Sequence, residues 1–221
     1  MSHDDHVQKI IESHYQRNDP VGWFEALYSS AQGNSDVIPW ADEKANPHLV
    51  AWLDRERVSG EGRRAIVVGC GLGDDAEELA RRGFDVTAFD VSQTAIDWCK
   101  RRSPSSRVRY TQADLLNPPR EWTNAFDFVF EAYTIQALPR SLRAEATKRV
   151  ASFVAPRGGQ LLVVCRGREE DESEGTLPYP LSHADVAAFE SHGLTRLSFE
   201  NFFDHDRDPP IRRFRALFQR D

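Results

Sequence analysis

The stretch from Ala65 to Asp75, Ala-Ile-Val-Val-Gly-Cys-Gly-Leu-Gly-Asp-Asp, leaves this chain few folds to choose from. It begins as a continuous apolar run rich in β-branched residues, the pattern of a parallel strand buried on both faces. Gly69, Gly71 and Gly73 then break the run, and a helical pattern resumes from Asp74 to Arg81. Strand, glycine turn and helix N-terminus in that order bring bare backbone N–H groups against a ligand.

The spacing narrows the ligand. A dinucleotide fingerprint reads G-x-G-x-x-G, its last glycine letting the helix pack close to the strand. Here the position five after Gly69 is Asp74, and the glycines fall as G-x-G-x-G. Asp74 and Asp75 at the helix start would repel a pyrophosphate but could receive an ammonium group. The next strand, Asp85 to Asp90, ends in a carboxylate able to accept both hydroxyls of a ribose; alone, Asp90 could equally be a helix cap. A ligand with a ribose, a positive end and no need of a phosphate cradle matches S-adenosylmethionine.

From Arg64 onward apolar strands alternate with amphipathic helices, as in a doubly wound sheet. Strands are expected near 107–112, 126–130 and 160–165, then a helix opened by Ser182 and Asp185 and closed by Gly193. Two last strands, near 196–202 and 211–218, are joined by too short a loop to be anything but an antiparallel hairpin. The expected architecture is α/β, a seven-stranded Rossmann-like sheet with its last strand antiparallel and helices on both faces. Residues 1–62 lack the strand signature and read as a helical cap, with 63–221 as the main domain. Within the cap, helices are expected over 5–16, after Asp19-Pro20, and after Asn46-Pro47.

Ligands of such sheets bind at the carboxyl ends of the strands. The cofactor candidates are therefore Gly69, Cys70, Gly71, Gly73, Asp75, Asp90, Val91, Asp114, Leu115 and Glu131. Asp114 either reaches the adenine amino group or caps its loop. Glu131 and Tyr133 are expected just after the fourth strand as the catalytic candidates, although Tyr133 could be a packed aromatic. Trp23 and Trp40 either close over a planar ligand or pack in the core. The acidic run Glu169–Glu174 reads as a mobile solvated segment of a kind that can serve as a lid. Arg212, Arg213 and Arg215 read as the solvated face of the last strand, and the loop Asp204-His205-Asp206-Arg207-Asp208 as a solvated turn matching no trusted metal spacing. No metal is expected.

Bulk properties exclude other classes. A net charge of −7 over 221 residues suggests neither a nucleic-acid nor an anionic-membrane partner. The three cysteines follow no metal or disulfide spacing, and no apolar run approaches membrane-spanning length. The start has no basic n-region or apolar core, so the expectation is a cytoplasmic protein, a monomer or homodimer acting on a small molecule.

With these residues in view, the chain resembles the thiopurine and thiol (halide/thiocyanate) methyltransferase group of class I methyltransferases over roughly 39–194. Ile38-Pro39-Trp40 before Asn46-Pro47 is similar to that group's N-terminal Trp segment. Val68–Asp75 resembles its glycine loop, Phe89–Ser92 its ribose-binding turn, and Ala113-Asp114-Leu115 its adenine-contacting turn. Phe126–Tyr133 and Leu177–Pro180 resemble its segments beside the acceptor. The resemblance implies S-adenosylmethionine as cofactor, S-adenosylhomocysteine as product, and a small thiol or other soft nucleophile as acceptor. This chain has Glu131-Ala132-Tyr133 where the group has a contiguous Asp-Tyr, which bears on the acceptor side. The alternatives are O-methylation, with Glu131, Tyr133 or His205 as base, or a catalytically silent S-adenosylmethionine-binding protein. A nicotinamide oxidoreductase is disfavoured by the missing third glycine of its fingerprint and by the lack of a Tyr-x-x-x-Lys motif.

Overall fold

The computed structural model describes residues 3–206 and 208–221. Seven strands form the sheet: β1 (Arg64–Val68), β2 (Asp85–Asp90), β3 (Arg109–Gln112), β4 (Phe128–Ala132), β5 (Gln160–Arg166), β6 (Thr195–Asp204) and β7 (Ile211–Gln219). Their order is β3-β2-β1-β4-β5-β7-β6. β1 to β5 pair in parallel, whereas β7 runs antiparallel between β5 and β6. The strand order reverses between β1 and β4, which opens a crevice beyond their carboxyl ends. The expected sheet, with its antiparallel final strand, is the one observed.

The helices are α1 (His3–Gln16), α2 (Gly22–Ser30), α3 (Pro47–Arg55), α4 (Asp74–Arg81), α5 (Gln93–Arg102), α6 (Arg140–Phe153) and α7 (His183–Ala187). Alternation along each strand divides the apolar residues between two cores. In β1, Ile66 and Val68 join Ala146, Val150 and Phe153 of α6, while Ala65 and Val67 join Leu49 and Leu53 of α3 and Leu79 of α4. Phe128 lies between the rings of Trp52 and Phe84, at 5.7 and 5.4 Å. A third cluster joins Val7 and Ile11 of α1 and Trp23, Leu27 and Tyr28 of α2 to Ala95 and Trp98 of α5. Thus α3 packs in the same core as the strands, and α1 and α2 lie on α5 rather than on the sheet.

Several boundaries differ from the pattern. α2 starts at Gly22, because Asp19 Oδ1 accepts the Gly22 N–H at 2.9 Å and holds Pro20 and Val21 outside the helix. β4 is displaced by two residues: Phe126 makes only an isolated bridge to Val154, and Glu131 pairs in register with Val68 and Val163. Glu131 is therefore inside the strand, not after it. The largest departure concerns β7, where Arg213 and Arg215 are buried rather than solvated. Arg215 donates to both Glu200 oxygens, at 3.0 and 2.6 Å, and to the His48 carbonyl at 2.8 Å. A period-two run of arginines marks one face of a strand, and here that face is covered by β6 side chains and the start of α3. Arg207 and residues 1–2 lie outside the described residues, and no described helix is long and apolar enough to cross a membrane.

Phe128→Ala removes a fully buried ring held between two others and should destabilise the protein by about 3–5 kcal/mol, read from urea unfolding at unchanged m-value.

Candidate functional site

The glycine loop sits at the reversal point, and its geometry explains its composition. Gly71 and Gly73 adopt φ of 53° and 89°, in the left-handed region that favours glycine. A Cβ on Gly71 would approach the Tyr28 hydroxyl at 3.2 Å, and one on Gly73 would meet the Tyr110 hydroxyl at 2.5 Å. Gly71 therefore opens the loop toward the cavity side, and Gly73 lets α4 start against Tyr110.

Asp90 ends β2 beneath this loop. Its Oδ2 accepts the Gly71 N–H at 3.0 Å and its Oδ1 the Ser92 N–H at 2.9 Å. Burial pushes its pKa up to about 6, against the Ser92, Gly71 and Val91 N–H groups that favour the charged form. Each oxygen keeps a further lone pair, so the carboxylate can still accept two hydroxyls. Beyond it opens a cavity of about 940 Å³, whose wall includes Trp40, Gly69, Cys70, Gly71, Asp75, Asp90, Val91, Asp114, Leu115 and Tyr133. Ten of the sequence candidates thus meet in one place.

Gly73 and Glu131 do not line it. Gly73 is turned to Tyr110. Glu131 is 1% exposed and accepts the N–H groups of Thr134 and Ile135 at 2.9 and 3.0 Å through Oε1, while its Oε2 has no partner. Burial raises its pKa to about 7. It is the cap of the turn that carries Tyr133, not a group on the cavity wall. Tyr133 itself has φ of 63°, a left-handed conformation that costs a non-glycine residue about 1–3 kcal/mol. It lines the cavity, with the Arg213 guanidinium 5.3 Å from its ring centroid.

The two acidic residues opening α4 have separated. Asp74 pairs with Arg102 at 2.9 Å, whereas Asp75 meets no cation among the described residues and accepts the Asn46 N–H at 2.6 Å. Burial, reinforced by Asp74 and Glu78, raises the Asp75 pKa to about 7 against that bond. Asp114 caps its own turn, accepting the Leu116 N–H at 2.9 Å, and lines the cavity as well. Trp40 is 38% exposed and donates to the Tyr28 hydroxyl at 2.7 Å, which sets it over Gly71. Trp23 belongs to the core and also borders the cavity.

The cradle fits S-adenosylmethionine. A doubly capped but unsaturated Asp90 is available to the ribose, Asp114 to the adenine, and the uncompensated Asp75 to a positive group. Asp75 is the most telling of these, since a half-buried carboxylate without a cation at the cavity wall is costly unless a ligand supplies one.

His48 was not singled out in the sequence, and Asp204 was read there as part of a solvated turn. His48 lines the cavity with its Nε2 3.6 Å from Asp204 Oδ2 and its ring 5.1 Å from Phe202. Burial and Arg213 hold the His48 pKa below its ordinary value, against the pull of Asp204. Asp204 accepts from Arg213 Nε and Nη2 at 3.2 and 3.1 Å, so the first residue of the supposed solvated turn faces inward. The available signal was Glu200 on β6 facing Arg215 on β7, with Asp204 one diagonal step from Arg213, legible once the hairpin register is known. His205 is exposed, which removes it as a base. His183 packs on Phe199 and Phe214. The acidic run is tied down: Arg168 donates to the Glu169, Glu170 and Glu172 carbonyls, and Glu174 pairs with Arg140 and Arg143. Among the described residues no cluster of three or more His, Cys, Asp or Glu gathers as a metal site would require.

Comparison with known proteins follows the same lines. The model of the family described as thiopurine S-methyltransferase matches residues 30–216. A magnesium-protoporphyrin O-methyltransferase of Rhodobacter capsulatus is 39% identical over 126 residues, 56% of this chain and 54% of that protein. A ubiquinone biosynthesis O-methyltransferase of Marinobacter nauticus is 32% identical over 148 residues, 65% of this chain and 60% of that protein. The chain thus spans little more than half the length of these relatives. Among solved structures, the N-methyltransferase NodS of Bradyrhizobium japonicum with S-adenosylhomocysteine superposes with a TM-score of 0.67 at 18% identity, over 89% of this chain and 97% of that one. The magnesium protoporphyrin IX methyltransferase of Synechocystis superposes with a TM-score of 0.68 at 16% identity, over 90% and 98%. At those identities the likeness establishes the fold.

The raised carboxylates make a test of stability against pH. Asp75 binds its proton in the folded state up to about pH 7 but, unfolded, releases it near its ordinary 3.8. Its contribution to stability is therefore present at low pH and lost as pH rises through about 7. Between about pH 5 and about pH 8 the ligand-free wild type should lose more stability than Asp75→Asn, measured as urea midpoints.

Proposed function

This chain belongs to the thiopurine S-methyltransferase family, and on that premise we propose that it transfers a methyl group from S-adenosylmethionine to a small-molecule acceptor, a thiol or other soft nucleophile first. The observation that carries the cofactor assignment is Asp90, buried beneath Gly71 with lone pairs to spare at the carboxyl end of β2.

In this reading Asp90 receives the ribose hydroxyls, Asp114 the adenine amino group, and the loop from Gly69 to Leu72 the backbone of the ligand. Asp75 receives the ammonium group, Trp40 covers the ligand from the α1–α2 side, and Leu115 and Val91 supply apolar wall. When bound, the cofactor supplies a sulfonium methyl to a nucleophile placed in line with it, leaving S-adenosylhomocysteine. The chain's own contribution is alignment and exclusion of water, which together can account for much of a displacement rate. A thiolate arrives already nucleophilic, and no side chain need take its proton. Glu131 acts through the turn it caps, by holding Tyr133 at the cavity wall.

O-methylation is the second reading, and the observation favouring it is His48. A neutral imidazole at the cavity wall beside an ionised Asp204 is the arrangement a hydroxyl acceptor needs in a general base. It replaces Glu131 and His205 as the group to test.

Isothermal titration should give micromolar binding of S-adenosylmethionine and S-adenosylhomocysteine to the wild type and none detectable to Asp90→Ala. Thiols should turn over faster than their hydroxyl analogues, and equal turnover would count against the thiol reading. With a hydroxyl acceptor, His48→Gln should lower kcat by about 10²–10⁴-fold, and with a pre-ionised thiol it should leave kcat within a few fold.

A further inference from the structure

An N-cap residue gives its side chain to the helix it opens, and its own N–H then needs a partner from elsewhere. In a capping box that partner is a side chain at the third helical position. α7 closes such a box, with the Asp185 carboxylate accepting the Ser182 N–H at 2.9 Å. α3 cannot: Asn46 Oδ1 accepts the His48 N–H at 2.9 Å, but the third helical position is Leu49. The Asn46 N–H goes instead to Asp75 Oδ1 of α4, 29 positions along the chain, at 2.6 Å. A carboxylate of a distant helix thus stands where α3 has none of its own.

Asn46 and Asp75 both line the cavity. The bond engages one oxygen of Asp75 and leaves the other for a ligand. Donation from the N–H favours the charged carboxylate, against burial and against Asp74 and Glu78 on the same helix. Those two are paired with arginines, Asp74 with Arg102 and Glu78 with Arg81 and Arg82. Tyr133, in the turn after β4, feels the Asp75 charge, and burial above all raises its phenol so that it stays neutral. The Cys70 thiol of the glycine loop is also held neutral, by its contact with Cys99 and by burial. From the segment ahead of α3, Asp42 and the exposed Lys44 line the same cavity. The Asp75 carboxylate is therefore held in place without being neutralised.

We propose that Asn46 is a positioning residue for the amino-acid end of S-adenosylmethionine, its backbone N–H holding one oxygen of Asp75 so that the other receives the ammonium group. The proposal rests on the methyl-transfer reading of the cavity and gives the cap of α3 a part in binding the cofactor. The same turn carries His48, so the ammonium site and the candidate base are held by neighbouring residues of one helix start. Because the main chain acts, only proline at position 46 removes the bond. Asn46 has φ of −52° and ψ of 118° and precedes Pro47, a conformation open to proline. Asn46→Pro deletes the N–H, whereas Asn46→Ala keeps it and loses only the cap, so the difference between the two isolates the bond.

The full chain is titrated calorimetrically with S-adenosylhomocysteine and with 5′-methylthioadenosine, which shares the adenosine and has no ammonium group. Relative to Asn46→Ala, Asn46→Pro should bind S-adenosylhomocysteine about tenfold more weakly, the size of one charge-assisted hydrogen bond, and 5′-methylthioadenosine equally well. In an Asp75→Ala background the same exchange should change neither affinity, because the N–H acts through that carboxylate. An equal loss for both ligands, or the same loss without Asp75, overturns the proposal. Where Asn46→Pro does not fold, amide proton–nitrogen spectra of the wild type decide. The Asn46 resonance should move with pH around a midpoint of about 7 as Asp75 ionises, a movement absent from Asp75→Asn. Saturation with S-adenosylhomocysteine should carry that midpoint to lower pH, since a bound cation favours the charged carboxylate, and 5′-methylthioadenosine should leave it in place. A midpoint that both ligands shift alike, or that neither shifts, overturns the proposal. A wild type that binds neither ligand would instead overturn the underlying reading of the cavity.

Discussion

The buried carboxylate of Asp90 is the constraint on which the site depends. One oxygen holds Gly71 and the other Ser92, so a single side chain ties the glycine turn to the start of α5. The network extends outward from there. Ser92 caps α5 through the Ala95 N–H at 3.0 Å, and its hydroxyl donates to Glu25 of α2 at 2.7 Å. Thr94 donates to the same Glu25. α2 in turn carries Tyr28, the acceptor of the Trp40 indole N–H over Gly71. Helices added before the sheet are thereby positioned by the end of β2, and the turn, its roof and its floor form one unit.

The site is arranged at a cost in stability. Asp75, Asp90 and Glu131 are carboxylates whose burial disfavours charge, and Tyr133 is held in a left-handed backbone conformation. Such features persist where the surrounding structure over-determines them, and they gather at binding sites. Each has its local support here: the Asn46 N–H on Asp75, two N–H groups on Asp90, and two on Glu131. Elsewhere in the described chain the paired carboxylates behave oppositely. Two arginines, Arg55 and Arg215, hold the Glu200 pKa down at about 2, as a structural ion pair should. Asp75 and Asp90, which line the cavity, thus differ from a carboxylate kept for the fold as an ion pair.

The C-terminal hairpin divides its work in the same way. Arg215 and Glu200 join β7 to β6 and to the start of α3, a bond network entirely within the framework. Two residues nearer the cavity, Arg213 and Asp204 form a similar pair that faces His48 and Tyr133 instead. The insertion of β7 between β5 and β6 is what brings this second pair to the carboxyl ends of the parallel strands. The strand that departs from the parallel pattern thus completes the wall opposite the glycine loop.

The local alternation of apolar runs, glycines and capping residues was enough to determine the sheet, the glycine turn, the Asn46 cap, the Ser182–Asp185 capping box and the cluster around Asp90. Those features depend on period and on backbone conformations that few residues tolerate, so they are written in neighbouring positions. Only the tertiary structure decided that Glu131 lies inside β4, that Gly73 faces Tyr110, and that Arg213 and Arg215 are buried. It also decided that Asp74 is neutralised by Arg102 while Asp75 is not, and that His48 meets Asp204 across 156 positions of chain. Charge and burial are set by which distant element covers a face, and a period-two run of arginines reads the same whether water or a β-strand lies over it.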